Sequence, residues 1–288
     1  MFKGSYVAIV TPFKDGKVDD KKFAELVEFQ IKNSTDGIVP AGCTGEAATL
    51  NHQEQKSLIK LTCEIVNKRV SVIAGAGSNS TSEAVELTKF AKKSGADGVL
   101  SITPYYNKPT PEGQYRHYEA IAKSVDIPIM VYNVPSRTGI SIKPETVARL
   151  SGIDNIVAIK EASGSLDQVS QIVSLCDITV LSGDDSLTLP MMAVGASGVV
   201  SVVANVIPKE IHDMVASYLK GDLLAAKKLH YKTLPMCKIM FIETNPIPVK
   251  TAMKMMKMIN GEMRLPLCGM EKDNEAKLEK AIKNYGLI

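Results

Sequence analysis

The sequence predicts an α/β protein: a TIM-type (β/α)8 barrel followed by a C-terminal helical appendage. Three observations carry this. Apolar, β-rich runs recur eight times, at residues 6–10, 37–40, 70–74, 98–102, 127–132, 156–160, 178–181 and 198–203. Amphipathic segments lie between them, at 20–33, 53–67, 81–94, 113–124, 143–150 and 166–175. After about residue 206 only helix-like segments follow, at 208–219, 222–234, 246–260 and 272–285. Strand alternating with helix implies a parallel sheet with helices outside it. Eight such units closed on themselves form a barrel. An open doubly wound sheet is the alternative, but it favours fewer units and a glycine-rich first turn. One helix after the last strand closes the barrel. The expected division is therefore 1–221 for the catalytic barrel and 222–288 for the helical domain. Met253, Met255, Met256 and Met258 fall at helical spacings and read as core packing.

In chain order, the strand ends are more informative than the strands. The second run leads into Gly42-Cys43-Thr44-Gly45-Glu46, a tight turn whose backbone amides can bind an anion or simply punctuate the strand. The third is followed by Gly75-Ala76-Gly77-Ser78-Asn79 and the fourth by Thr103-Pro104-Tyr105-Tyr106-Asn107. The fifth leads into Tyr132-Asn133-Val134-Pro135-Ser136-Arg137. Tyr132 reads either as a hydrogen-bonding or proton-relaying phenol or as an amphipathic rim residue. Arg137 suits bidentate capture of a carboxylate, or it is a solvated loop arginine. The sixth run, Ile156-Val157-Ala158-Ile159, enters Lys160 directly. A buried strand that ends in an ammonium lowers that group's pKa, because the charged form is costly beside an apolar interior. A free amine at neutral pH can attack a carbonyl and form a Schiff base. A lysine snorkelling to solvent at the barrel rim is the plainer alternative. The seventh run ends in Ser182-Gly183-Asp184-Asp185, where the acidic pair reads as helix capping or loop polarity. Polar clusters at the strands' carboxyl ends are the arrangement of a barrel enzyme.

Composition excludes other classes. A net charge of +3 over 288 residues, with no basic run, argues against a nucleic-acid partner. The five cysteines are scattered and form no CxxC pair, so a reducing compartment is expected, without disulfides or a zinc site. The four histidines, His52, His117, His212 and His230, have no ligand spacing, so no metal is assigned. No apolar run approaches the roughly 18 residues of a membrane helix, and Met1-Phe2-Lys3-Gly4-Ser5 lacks a signal-peptide layout. A soluble, cytoplasmic protein is expected.

The ordered motifs GCTGE, TPYYN, YNVPSRTG, AIKEASG and LSGDD, with Glu243-Thr244-Asn245-Pro246-Ile247-Pro248-Val249-Lys250 beyond them, resemble the dihydrodipicolinate synthase family. That family belongs with the pyruvate-dependent class I lyases, among them N-acetylneuraminate lyase and 2-keto-3-deoxygluconate aldolase. The resemblance implies condensation of pyruvate with L-aspartate 4-semialdehyde, in lysine and diaminopimelate biosynthesis, with neither metal nor organic cofactor. It implies Lys160 as the Schiff-base lysine and Tyr132 as a proton-relay tyrosine. Tyr106 matches a tyrosine that reaches into the neighbouring subunit's site, so a homo-oligomer is implied, a dimer of dimers being common in the family. Thr44 would hold the pyruvate carboxylate, and Arg137 that of the second substrate. Gly183 and Val200 fall where the family lines the pocket. Cys43 replaces the first threonine of the family's GTTGE, and a thiol is the weaker hydrogen-bonding group. A possible allosteric lysine site maps onto Ala48, His52, Asn79, Glu83 and Tyr105. Ala47 and Gln55 depart from its usual serine and histidine, so weak or absent lysine inhibition is expected. His52 and Gln55 also admit reading as solvated residues at a helix start. The same scaffold also accommodates a sugar-acid aldolase, or a non-catalytic barrel that only binds a keto acid.

Overall fold

The structure is a computed structural model describing residues 2–288. Eight parallel strands close into a barrel in which each strand pairs with the next and the last returns to the first. They are β1 (Gly4–Ala8), β2 (Gly37–Val39), β3 (Ser71–Gly75), β4 (Gly98–Ile102), β5 (Ile129–Asn133), β6 (Ile156–Glu161), β7 (Thr179–Ser182) and β8 (Gly198–Ser201). A two-stranded hairpin, Phe13–Lys14 with Lys17–Val18, follows β1. Around the barrel stand α1 (Asp20–Lys32), α2 (His52–Val66), α3 (Thr81–Lys93), α4 (Pro111–Ser124), α5 (Pro144–Ser151), α6 (Leu166–Leu175), α7 (Thr188–Ala193) and α8 (Pro208–Leu219). The C-terminal helices are α9 (Leu223–Ile239), α10 (Ile247–Met255) and α11 (Lys272–Tyr285).

Helix starts follow local chemistry. Asp19 caps α1 by accepting from the Lys22 amide. Asn51 and Glu54 form a reciprocal capping box on α2. Thr110 caps α4 with Pro111 at its first position, where a missing N–H costs nothing. Three boundaries differ from the sequence reading. The segment between β7 and β8 holds α7, only six residues long and too short to show helical periodicity. Helix α9 runs through Pro235 to Ile239, because Met236 and Cys237 beyond the proline are buried and hold the turn against the core. Helix α10 ends at Met255, short of the expected 260. The methionines pack as expected: Met253 is buried, and Met255, Met256 and Met258 lie against the core.

Strand side chains alternate between two cores, with period two. One core lies between sheet and helices and includes Val7, Ile38, Val72, Val99, Val131 and Ile159. The other fills the barrel interior with Tyr6, Ala8, Val39, Ile73, Leu100, Met130, Ala158, Leu181 and Val200. This alternation positions the site. Met130 and Ala158 point inward, so Tyr132 and Lys160, each two residues on, also point inward. Among the described residues, no helix is long and apolar enough to cross a membrane.

Candidate active site

Tyr132 and Lys160 are direct neighbours in the parallel register of β5 and β6. The Lys160 Nζ stands 4.3 Å from the centre of the Tyr132 ring. Lys160 is 4% exposed, so it is enclosed by the barrel. The reading of a lysine snorkelling at the rim is corrected, because β6 continues through Lys160 to Glu161 and carries the side chain inward. Burial lowers the ammonium from 10.5 to about 8. Cys43 and Asp185 favour the charged form and Arg137 disfavours it. Burial also pushes the Tyr132 phenol well up, followed by the effect of the neighbouring Cys43. Cys43, Tyr132 and Lys160 therefore share one environment, where an amine, a phenol and a thiol lie within reach of each other's charge.

Gly183, two residues after Leu181, packs onto the lysine. A Cβ there would stand 2.9 Å from Lys160 Cε and 2.7 Å from Ala162 Cβ, so only glycine leaves the lysine its place. Val200 is fully buried on β8 inside the barrel. Thr44 is buried and accepts from Asn245 Nδ2 at 3.0 Å. Arg137 sits on a helical turn, Pro135–Thr138, and donates from Nη2 to the Asn245 backbone oxygen at 2.6 Å. Asn245 thus joins the two residues matched to carboxylate binding, and its own Oδ1 is buried without a partner.

A cavity of about 430 Å3 is lined by Cys43, Tyr132, Arg137 and Asn245, and also by Ala48, His52, Glu83 and Tyr105. Asn79 is tied to the same region, donating from Nδ2 to the Tyr105 backbone oxygen at 3.2 Å. Glu83 accepts from Ser78 Oγ at 2.7 Å and lies 3.9 Å from His52. Gln55 is buried and donates to the Gly75 backbone oxygen at 3.0 Å, which overturns its reading as a solvated helix-start residue. His52 is partly exposed. Tyr106 is not brought to this group within the chain. It is 90% exposed, and its backbone is left-handed at φ 70.

Sequence reasoning missed several residues. Asp184 caps the turn after β7, as expected, by accepting from the Ser186 amide. Asp185 does not belong to loop polarity. It is 2% exposed, accepts from Ser201 Oγ and from the Val202 and Val203 amides, and is pushed up by burial to about 6. Glu46 pairs with Lys250 of α10, and both side chains are fully buried. Burial lowers the Lys250 pKa while Glu46 opposes this. Glu161 is buried behind Lys160 and accepts from Asn133 Nδ2, the Ser163 amide and Gln168 Nε2. The glutamate in GCTGE and the lysine in NPIPVK were the only signals available for the Glu46–Lys250 contact, and neither names its partner.

A buried amine of lowered pKa, with a phenol and a thiol beside it at the carboxyl face of a (β/α)8 barrel, is equipped for lysine-dependent carbonyl chemistry. The model of the dihydrodipicolinate synthetase family matches residues 1–285. The chain belongs to that family. It is 59% identical, over the full length of both chains, to 4-hydroxy-tetrahydrodipicolinate synthase of Geobacter sulfurreducens. It superposes on dihydrodipicolinate synthase from Aquifex aeolicus with a TM-score of 0.98 at 48% identity, covering 99% of each chain. It superposes equally, at TM-score 0.98 and 45% identity over all of both chains, on a chloride-inhibited dihydrodipicolinate synthase from Acinetobacter baumannii complexed with pyruvate.

Proposed function

We propose that the chain is a 4-hydroxy-tetrahydrodipicolinate synthase, a lyase that condenses pyruvate with L-aspartate 4-semialdehyde. The observation that carries this is Lys160, an amine enclosed by the barrel and lowered to about 8, with Tyr132 and Cys43 beside it. Lys160 adds to the keto carbon of pyruvate, and loss of water leaves a protonated imine. The imine withdraws electrons, a methyl proton departs, and the enamine attacks the aldehyde. The amine of the second substrate then displaces Lys160 and closes the ring. Tyr132, Cys43 and Tyr106 carry protons between these steps. Thr44 holds the pyruvate carboxylate and Arg137 that of the aldehyde. Gly183 and Val200 shape the pocket around the lysine. A carboxylate-bearing aldehyde accounts for Arg137 better than a polyhydroxylated sugar acid does.

The 90% exposed phenol of Tyr106 supports a homo-oligomer of at least two chains, since an aromatic held in a left-handed backbone beside the active face lacks a role within its own chain. A pair of such dimers, working in the cytoplasm, completes this reading, with residues 1–221 as the catalytic barrel and 222–288 as the helical domain. Ala48, His52, Asn79, Glu83 and Tyr105 form the lysine-binding region, weakened by Ala47 and by Gln55, whose amide is occupied by Gly75.

The test is borohydride reduction in the presence of pyruvate, followed by peptide mass spectrometry. The adduct is expected on Lys160. An adduct on another lysine, or none, refutes the assignment. Turnover is then measured with aspartate semialdehyde, N-acetylmannosamine and glyceraldehyde, and preference for a sugar aldehyde refutes the proposed second substrate.

A further inference from the structure

The turn bearing Cys43 and Thr44 is held from outside the barrel. Glu46 follows Thr44 by two residues, with a left-handed backbone at φ 56. Its carboxylate pairs with the Lys250 ammonium of α10. The same ammonium donates to the Thr11 backbone oxygen at 2.9 Å and lies 4.4 Å from the centre of the Phe13 ring. Thr11 in turn donates from Oγ1 to the Gly45 backbone oxygen at 2.7 Å. One ammonium therefore fastens the loops after β1 and β2 to each other and to the C-terminal segment. That segment also reaches Thr44 directly, through Asn245.

Stability alone does not account for an ion pair in this place. Burying two charges is costly, and apolar residues of similar volume often serve as well or better. What the pair supplies is direction, because charge-assisted hydrogen bonds fix the lengths and angles between the groups they join. We propose that Lys250 and Glu46 are positioning residues for Cys43 and Thr44, so that a side chain that never meets substrate sets the rate of pyruvate activation. The kinetic part of this rests on the pyruvate reading given above.

Four chains are compared: the parent, Lys250→Met, Glu46→Gln and the double variant. Each single change leaves one buried group uncompensated and lowers Tm. The double variant removes both charges and recovers Tm. Its kcat/KM for pyruvate is nevertheless expected to stay roughly 10–100-fold down, the scale of a displacement of about 1 Å in a catalytic group. The rate at which iodoacetamide alkylates Cys43, measured by peptide mass spectrometry against exposed Cys268, should shift several-fold with the thiol's surroundings. Recovered Tm together with parental kcat/KM and parental Cys43 alkylation overturns the proposal. If the double variant does not fold, Lys250→Arg replaces it, keeping the charge while changing its reach. Parental Tm with lowered kcat/KM then supports the proposal, and parental values of both overturn it. A parent chain that traps no pyruvate on Lys160 defeats the pyruvate reading alone, and the alkylation rates still decide the positioning role.

Discussion

On the proposed mechanism, the pH dependence of pyruvate trapping follows from where β6 places Lys160. At pH 7 a lysine of pKa 10.5 has about 0.03% of its amine free, whereas one at about 8 has about 9%, a gain of roughly 300-fold in nucleophile. Expressed as energy, freeing the amine of its proton at pH 7 costs about 3 kcal/mol less than for an ordinary lysine. The assay is the initial rate of borohydride trapping at fixed pyruvate from about pH 6 to about pH 10, read by intact mass. The rate should climb about tenfold per pH unit at first, bend near 8 and flatten above it. Asp185→Asn should move the bend downward, since that carboxylate favours the charged lysine. A rise that continues unbent to about pH 10 means an ordinary lysine and refutes the reasoning.

Four further outcomes are expected. Lys160→Met should melt above the parent at pH 7. The folded pKa lies below the unfolded one, so the parent bears the cost of a buried ammonium below about 8 and gains stability between about 8 and 10.5. Calorimetry should show the gap narrowing across that window, and a constant gap would sink the linkage. Gly183→Ala drives a methyl against Lys160 Cε and Ala162 Cβ, and should slow pyruvate trapping roughly 10–100-fold; parental trapping would show that the lysine has room to spare. Mixing Lys160→Ala chains with Tyr106→Phe chains should restore turnover in proportion to sites holding both intact residues, and no recovery would remove Tyr106 from the partner's site. Titration with lysine should give weak inhibition or none, each lost polar contact costing about 0.5–1.5 kcal/mol; half-inhibition at sub-millimolar lysine would show that Asn79, Glu83 and Tyr105 suffice.

The barrel was legible because its strands are continuous apolar runs and most of its helices carry local start signals, such as Asn51 with Glu54. Short α7 was not, since six residues make fewer than two turns. Lys160 stood out as a buried-strand lysine, and its parity with Ala158 excludes the alternative at the rim. Asp185 looked like one half of a polar turn until the end of β8 and the two residues after it supplied its donors. Asn245, Lys250 and Glu46 eluded the sequence for another reason. Thr44 and Asn245 lie 201 positions apart, and no local pattern pairs residues at that separation.

The separation of Glu46 and Lys250 has a consequence for the order of synthesis. They stand 204 positions apart, so at roughly 5–20 residues per second the glutamate is added to the chain about 10–40 s before its ammonium exists. During that interval the carboxylate has no buried partner, and its desolvation is uncompensated. The turn with Cys43 and Thr44 must then stay hydrated, even once all eight strands have emerged. A nascent chain that has completed all eight strands therefore still lacks the contact that closes this turn, until the segment bearing Lys250 has been made.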